Sequence, residues 1–102
     1  MGFATITRLG FADAQTTDRA TEGLDELLNE AAKQAGFASA HVVRSGEAEL
    51  LLVTVYASPA AADRLSDQLR PRIAESIGAL VAGPPERWAG PVTSAAQGQP
   101  AY

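Results

Sequence analysis

The chain has 102 residues, of which 46% are hydrophobic and 20% are charged. This composition is typical of one globular domain with a modest core. The net charge is −4, and an acidic chain without a basic stripe is poorly suited to nucleic acid, because neutralising phosphates dominates that affinity. Cysteine is absent and His41 is the only histidine, which excludes disulfides, thiolate nucleophiles, iron–sulfur clusters and Cys-ligated zinc.

The N-terminal residues indicate neither a membrane span nor a signal peptide. Residues 1–6 lack the basic start and apolar run of a secretory signal. No apolar stretch in the chain approaches the ~18 residues of a transmembrane helix. We therefore expect a cytoplasmic protein that does not bind membranes. The preference for alanine and arginine, with Lys33 as the only lysine, is typical of a GC-rich bacterial genome.

The first third of the chain predicts a strand followed by an amphipathic helix. Residues 3–9 (FATITRL) are rich in β-branched and aromatic residues, as strands are. We expect residues 11–16 to form a connection, with Thr17 or Asp18 capping the helix and Gly36 following its C-terminus. The apolar stripe of this helix comprises Ala20, Leu24, Leu27, Leu28, Ala31 and Ala35.

A β-hairpin is predicted next. Residues 37–44 (FASAHVVR) and 48–57 (AELLLVTVYA) are two strand-like runs separated by a short turn. If residues 45–46 form a two-residue loop, His41 lies opposite Leu50 and the two share a face. That face would then carry Phe37, Ser39, His41 and Val43 with Leu50, Leu52, Thr54 and Tyr56. A three-residue loop would change this pairing.

The third strand indicates how the domain assembles. Residues 50–55 are apolar on both faces except at Thr54, whereas a two-layer α+β sheet normally has one dry face and one wet face. The few helices of this chain can cover only one face. We therefore expect a second copy of the chain to cover the other face, which predicts a homodimer.

The second helix is predicted to be interrupted. Ser58 and Pro59 are typical of the N-cap and first position of a helix. The apolar residues Ala61, Leu65 and Leu69, and then Ile73, Ile77, Leu80 and Val81, continue at helical spacing. Between these two groups, Pro71 should break or restart the helix, because proline lacks the N–H donor and its ring clashes with the preceding turn.

The C-terminal part predicts one more strand and a tail. Residues 83–85 (GPP) end the helical region, and residues 86–93 (ERWAGPVT) are strand-like, with Pro91 favouring an edge position or a strand end. We expect residues 1–93 to form one domain and residues 94–102 to form a flexible tail.

The order β-α-β-β-α-β is the ferredoxin-like plan of an α+β fold with an antiparallel sheet. Within it, Gly36-Phe37, Arg44, the run LLLVTVY, Ser58 and the segment GPPERWAGPV resemble the dimeric α/β-barrel superfamily, especially antibiotic-biosynthesis-monooxygenase-like domains. The resemblance extends from the first strand to Thr93 and implies two sheets that face each other across a dimer. It also implies a cavity between each sheet and its helices.

The resemblance implies no cofactor. Superfamily members that degrade haem resemble one another in three residues: an Asn on the first strand, and a Trp and a His in the helical region after the third strand. The first strand of this chain, residues 3–9, has no Asn, and residues 58–83 contain no His, Trp or Asn. Haem degradation is therefore not expected.

Several residues are candidates for a site, each with a structural alternative. His41 could be a general base in a pocket that also carries Ser39, Thr54 and Tyr56, or a half-buried or interface histidine held by a hydroxyl or the backbone. Tyr56 and Trp88 could line an aromatic pocket, or be core and dimer contacts.

The arginines have the same ambiguity. Arg44 could contact a substrate, but it most simply pairs with Glu47 across the turn. The remaining candidates could together hold an anion, although three of them fall on a helical surface, where solvated charge is the usual explanation. They are Arg64, Arg70, Arg72 and Arg87.

Two function classes follow. In the first, the protein is a cofactor-independent monooxygenase-like enzyme acting on a small aromatic or polyketide-like substrate, with His41 as the base and Ser39, Arg44, Thr54, Tyr56 and Trp88 as substrate contacts. In the second, it is a non-catalytic dimeric module that binds a small apolar ligand or a partner. An open pocket around His41 would favour the first class.

Overall fold

The computed structural model describes residues 2–96 and residue 98. Its elements are β1 (Phe3–Gly10), α1 (Ala14–Ala31), β2 (Phe37–Gly46), β3 (Glu49–Tyr56), α2 (Pro59–Ile77), a short 3₁₀ turn (Gly78–Leu80) and β4 (Glu86–Pro91). The four strands form one sheet in the order β2-β3-β1-β4, and each neighbouring pair is antiparallel. This is the ferredoxin-like α+β fold that the element order predicted. No helix in residues 2–96 is long and apolar enough to cross a membrane.

The two helices cover one side of the sheet, which we call the helix face; the other side is the open face. The main core lies between the helix face, α1 and α2, where Leu24, Leu50 and Ile77 are almost completely buried. A smaller core forms around Tyr56 and Leu65 at one end of the sheet. Both cores bury the apolar stripes of the helices, as an amphipathic pattern requires.

The start of α1 differs from the prediction. Asp13, not Thr17 or Asp18, is the N-cap, and its carboxylate accepts a hydrogen bond of 2.7 Å from the Thr16 backbone N–H. Aspartate is a better cap than threonine, and the helix starts at this earlier residue. Thr17 is instead fully buried in the first turns, where its hydroxyl donates to the carbonyl of Asp13 at 2.7 Å.

The end of α1 also differs. The helix ends at Ala31, and Gly36 lies several residues later at the entrance to β2, with φ +94°. Its carbonyl accepts a hydrogen bond of 2.8 Å from Ala57 N–H. A Cβ at this position would lie 2.9 Å from the Cβ of Ala61 on α2. Glycine is therefore required here both by its backbone conformation and by the close approach of α2.

The second helix begins as predicted but continues where a break was expected. The Ser58 hydroxyl accepts a hydrogen bond from Ala61 N–H at 3.1 Å, and Pro59 occupies the first turn. The prediction of an interruption at Pro71 was wrong, because α2 runs through it from Pro59 to Ile77. Pro71 is exposed, so its ring lies towards solvent and the helix loses one hydrogen bond without disturbing the packed side.

The register of the hairpin differs by an odd number of residues from the pairing expected for a two-residue loop at residues 45–46. His41 pairs with Val53 rather than Leu50, and the ladder is irregular between Arg44 and Gly46. The irregularity extends β2 to Gly46, opposite Glu49, so the turn lies further along the chain than expected. Because side chains alternate between faces, an odd shift moves His41 from the Tyr56 face to the opposite face.

The last strand occupies a sheet edge, as Pro91 indicated. Within the described residues it pairs with β1 alone, and it ends at Pro91, two residues earlier than predicted. Beyond it, the N–H of Val92 still donates to the carbonyl of Gly2 at 2.8 Å. The predicted tail over residues 94–102 lies partly outside the described residues, which exclude residues 97 and 99–102.

Candidate functional site

A cavity of about 600 Å³ lies between the helix face of the sheet and α2. We call it the sheet–α2 cavity. Its helix wall is mostly apolar and includes Leu69, Ile73 and Ile77, next to the polar Ser66 and Arg70. This volume is in the range that holds small organic ligands, and such sites combine mostly apolar walls with a few polar groups. It is also the location that the resemblance implied for a cavity.

The sheet wall of the cavity is more polar than a core face normally is. It includes Thr5 and Thr7 from β1 and Thr54 and Tyr56 from β3. In the register, Thr5 is directly opposite Thr54, so these side chains share a face and lie side by side. Hydroxyl groups next to apolar side chains can orient a ligand by hydrogen bonds, while the apolar side chains still accommodate aromatic rings.

Tyr56 connects the cavity to the smaller core. Its ring packs edge-to-face against Phe37 with centroids 5.8 Å apart. Burial raises the pKa of the Tyr56 phenol above its usual range, although the Thr5 hydroxyl and the charge of Arg87 oppose the rise. The phenol therefore stays protonated at neutral pH. It can donate a hydrogen bond to a ligand but cannot act as a base.

Two arginines line the cavity, Arg70 from α2 and Arg87 from β4. The register places Arg87 directly opposite Thr7, which in turn lies opposite Leu52. This row is on the helix face. Among the residues that the structure describes, no carboxylate, histidine or lysine lines the cavity, so its ionisable groups are these arginines and the Tyr56 phenol.

His41 lies away from this cavity, on the open face. There it forms one row across the sheet with Val53, Ile6 and Trp88. His41 is exposed, and 51% of the Trp88 surface is accessible. The structure therefore brings His41 and Trp88 onto one face and Thr54 and Tyr56 onto the other. The face assignment that grouped His41 with Tyr56 was wrong because of the register.

Ser39 accompanies His41. It lies opposite Val55 on the open face, and both Ser39 and His41 border a second depression of about 520 Å³ between β2 and α1. The α1 side of this depression carries Asp25 and Asn29, which are exposed and bonded to each other at 3.2 Å. It is a groove along a sheet edge with a polar wall, less suited to an apolar ligand than the sheet–α2 cavity.

Arg44 has a structural role at the far end of the hairpin. Its guanidinium donates to the Asp18 carboxylate at 2.7 Å, to the carbonyl of Gly46 at 2.8 Å and to the carbonyl of Glu47 at 2.6 Å. The predicted partner Glu47 is therefore contacted through its backbone. These bonds hold the turn against α1, and Arg44 is not among the residues that line the sheet–α2 cavity.

Sequence reasoning missed part of the site. Thr5 and Thr7 alternate with Ala4 and Ile6 in β1, and that alternation was a readable signal that the strand presents hydroxyls to one side only. The placement of Arg87 needed the pairing of β4 with β1, which residue pattern alone does not provide.

Comparisons with known proteins bear on the fold. No protein-family model matches the sequence, and no curated protein matches it. A cofactor-independent oxygenase from Streptomyces nogalater, SnoaB, superposes with a TM-score of 0.71 at 17% identity, with 97% of each chain covered. A dimeric ferredoxin-like protein from an uncultured marine organism gives 0.76 at 15% identity, covering 96% of this chain and 93% of its own.

A third solved structure is a Nitrosomonas europaea protein assigned provisionally as an antibiotic biosynthesis monooxygenase. Its TM-score is 0.79 at 12% identity, with 90% of each chain covered. Identities this low establish a common fold and nothing finer. The chain therefore has the ferredoxin-like fold of the antibiotic-biosynthesis-monooxygenase-like proteins, as the resemblance in its sequence implied.

Proposed function

We propose that the protein binds a small aromatic or polyketide-like molecule in the sheet–α2 cavity and oxidises it as a cofactor-independent monooxygenase. The observation that carries this proposal is the cavity itself, with its mostly apolar helix wall, hydroxyl-bearing sheet wall and two arginines. SnoaB, which shares the fold, is a cofactor-independent oxygenase.

The residues present suit a substrate that loses its proton easily. An electron-rich phenol or quinol becomes reactive towards oxygen once it is deprotonated. Positive charge from Arg70 and Arg87 would lower the pKa of a bound phenol, and donors such as the Tyr56 hydroxyl would stabilise the oxyanion. Overall, one atom of O₂ enters the substrate and the other leaves as water with two hydrogens from the substrate, so no external reductant is needed.

Proton removal is not assigned to His41. Its position on the open face separates it from the cavity by the sheet, although its role as a base stays a prediction of the sequence. Solvent at the open mouth of the cavity can accept the proton of an acidic substrate whose anion the arginines stabilise.

Oxygen consumption tests the proposal. With a panel of two- and three-ring phenols, we expect protein-dependent oxygen uptake that falls at least about tenfold in Tyr56→Phe, which lacks the donor to the oxyanion. His41→Ala serves as the matched variant on the open face and should retain activity; its loss would instead support the sequence-based assignment. Absence of uptake with every phenol would refute the oxygenase.

A second candidate function has one observation in its favour. Because no carboxylate or histidine lines the cavity in the described part of the chain, the site is equally suited to binding without reaction. This alternative is a non-catalytic module for a small apolar ligand. Saturable binding of a phenol with no oxygen uptake would establish it in place of the oxygenase.

We also propose that the protein is a homodimer in which the open face of each sheet covers that of its partner. The open face carries large apolar side chains that a monomer would leave in water: Ile6, Val43 and Trp88 are 37%, 44% and 51% exposed. A contiguous exposed apolar patch marks an interaction surface. The marine ferredoxin-like protein with the same fold is dimeric.

A further inference from the structure

The arginines of the sheet–α2 cavity are less closely paired with carboxylates than Arg8 and Arg44 are, in the described part of the chain. Arg8 contacts the carboxylates of Glu49 and Glu86, and Arg44 contacts Asp18. Arg87 makes no ion pair within residues 2–96, and Arg70 reaches Asp67 only at 4.0 Å. Neither arginine of the cavity therefore has a carboxylate oxygen closer than 4.0 Å among the described residues, in a chain whose acidic residues outnumber its basic ones.

Strand alternation explains why Arg87 has no carboxylate beside it. Its neighbour Glu86 points to the open face, where it contacts Arg8. Arg87 therefore points to the helix face, opposite Thr7, and lines the cavity. The carboxylate of Glu86, which is next to Arg87 in sequence, thus forms its ion pair on the other side of the sheet.

The two arginines approach the cavity from different layers. Arg87 comes from the sheet edge and Arg70 from α2, and the positive charge of each favours ionisation of the same Tyr56 phenol. Two guanidinium groups that line one cavity repel each other, and an anion bound between them would offset that repulsion. Guanidinium groups also bind planar anionic oxygens through paired hydrogen bonds.

Apart from Arg70 and Arg87, no charged residue lines the cavity in the described part of the chain. Leu69, Ile73 and Ile77 give the helix wall most of its apolar surface, and Pro85 lies on the loop before β4. These surfaces favour rings or an aliphatic body, since burying apolar surface contributes about 25 cal/mol per Å². The cavity lining thus combines apolar surface with two cationic groups.

We propose that the physiological ligand is an aromatic or polycyclic acid, with an anionic oxygen group bound between Arg70 and Arg87 and its rings against α2. This inference rests on the proposed function of the cavity but specifies its substrate class. A neutral polycycle of the same size is expected to bind more weakly.

Two naphthalene dyes provide a matched test. 1-Anilinonaphthalene-8-sulfonate and N-phenyl-1-naphthylamine share their ring system and differ in one sulfonate, and both fluoresce when bound in apolar sites. We expect the sulfonate to bind at least about tenfold more tightly, as a charge-assisted hydrogen bond allows. Arg87→Gln and Arg70→Gln should each lower the affinity for the sulfonate dye several-fold and leave the affinity for the neutral dye unchanged.

Two further variants make the outcomes distinct. Arg72→Gln removes the same charge from α2 at a residue outside the sheet–α2 cavity and should have no effect. Ala74→Phe places a ring in the cavity at an exposed helix position and should abolish binding of both dyes. Equal affinity for the two dyes, or insensitivity to Arg70 and Arg87, would overturn the anion inference alone. Failure of both dyes to bind, or binding unaffected by Ala74→Phe, would overturn the cavity as a ligand site.

Discussion

Replacing Trp88 by alanine should separate the proposed dimer into monomers. Trp88 lies on β4 at one end of the open-face row that includes Ile6, and 51% of its surface is accessible in the subunit. A tryptophan presents up to about 250 Å², so about 125 Å² remains for a partner to cover. At about 25 cal/mol per Å², complete coverage contributes about 3 kcal/mol per subunit.

The symmetry of a dimer makes each substitution count twice. If a partner covers only half of the accessible Trp88 surface, the two copies together still contribute about 3 kcal/mol. That loss raises the dissociation constant by roughly a hundredfold or more. Sedimentation equilibrium over a range of protein concentrations measures this change directly.

Two controls accompany the measurement. Trp88→Phe keeps most of the ring surface and should weaken the dimer much less than Trp88→Ala. Circular dichroism should show that both variants remain folded, because the side chain is more than half exposed in the subunit. In the unmodified protein, Trp88 is the only tryptophan, so its fluorescence should shift to shorter wavelength as the dimer forms. A monomer at all concentrations, or a dimer indifferent to Trp88→Ala, would refute the reasoning.

Two further predictions concern stability. Gly36→Ala should lower the free energy of unfolding in urea by about 2 to 4 kcal/mol, from the positive φ and the overlap with Ala61 together. Gly83→Ala, with φ +81° and open space around it, should lose only about 1 kcal/mol, and equal losses would contradict the packing argument. Hydrogen bonds from Thr16 lower the pKa of Asp13, so its stabilisation is present at neutral pH and is lost as pH falls through that lowered pKa. Asp13→Asn should keep the cap, but the melting temperature of the variant should depend less on pH below about 4. If the variant loses stability in acid as steeply as the unmodified protein, ionised Asp13 does not stabilise the fold.

Local signals explain what could be predicted. The Ser58-Pro59 start of α2 and the apolar stripe of α1 depend on residues close in sequence. The structure confirms the start of α2 and the stripe from Ala20 to Ala31, whereas Ala35 lies beyond the helix and is exposed. The element order then restricted the fold to the ferredoxin-like plan. The start of α1 was misplaced because Asp13 and the predicted cap Asp18 are the same residue type, so intrinsic capping preference does not distinguish them.

The composition of the site could not be predicted in the same way. It depended on the register of β2 and β3, which an irregularity between Arg44 and Gly46 shifts. A shift by an odd number of residues exchanges the faces, so one local feature separated His41 from Tyr56. The position of Arg87 depended on pairing with β1 across most of the chain, which no local pattern encodes.

The alternation within β1 connects the two proposals. In an ordinary two-layer domain, a strand directs apolar residues to the helices and polar residues to water. Towards its N-terminal end β1 does the opposite, because Thr5 and Thr7 face the cavity whereas Ile6 lies on the open face. Trp88 and Arg87 repeat this arrangement in β4. Each inversion is unfavourable in an isolated, empty subunit, since it leaves apolar surface in water and polar groups in an apolar layer. A ligand with a polar group on one face and a second subunit on the other would relieve both, so the same residue alternation supports a binding site and a dimer.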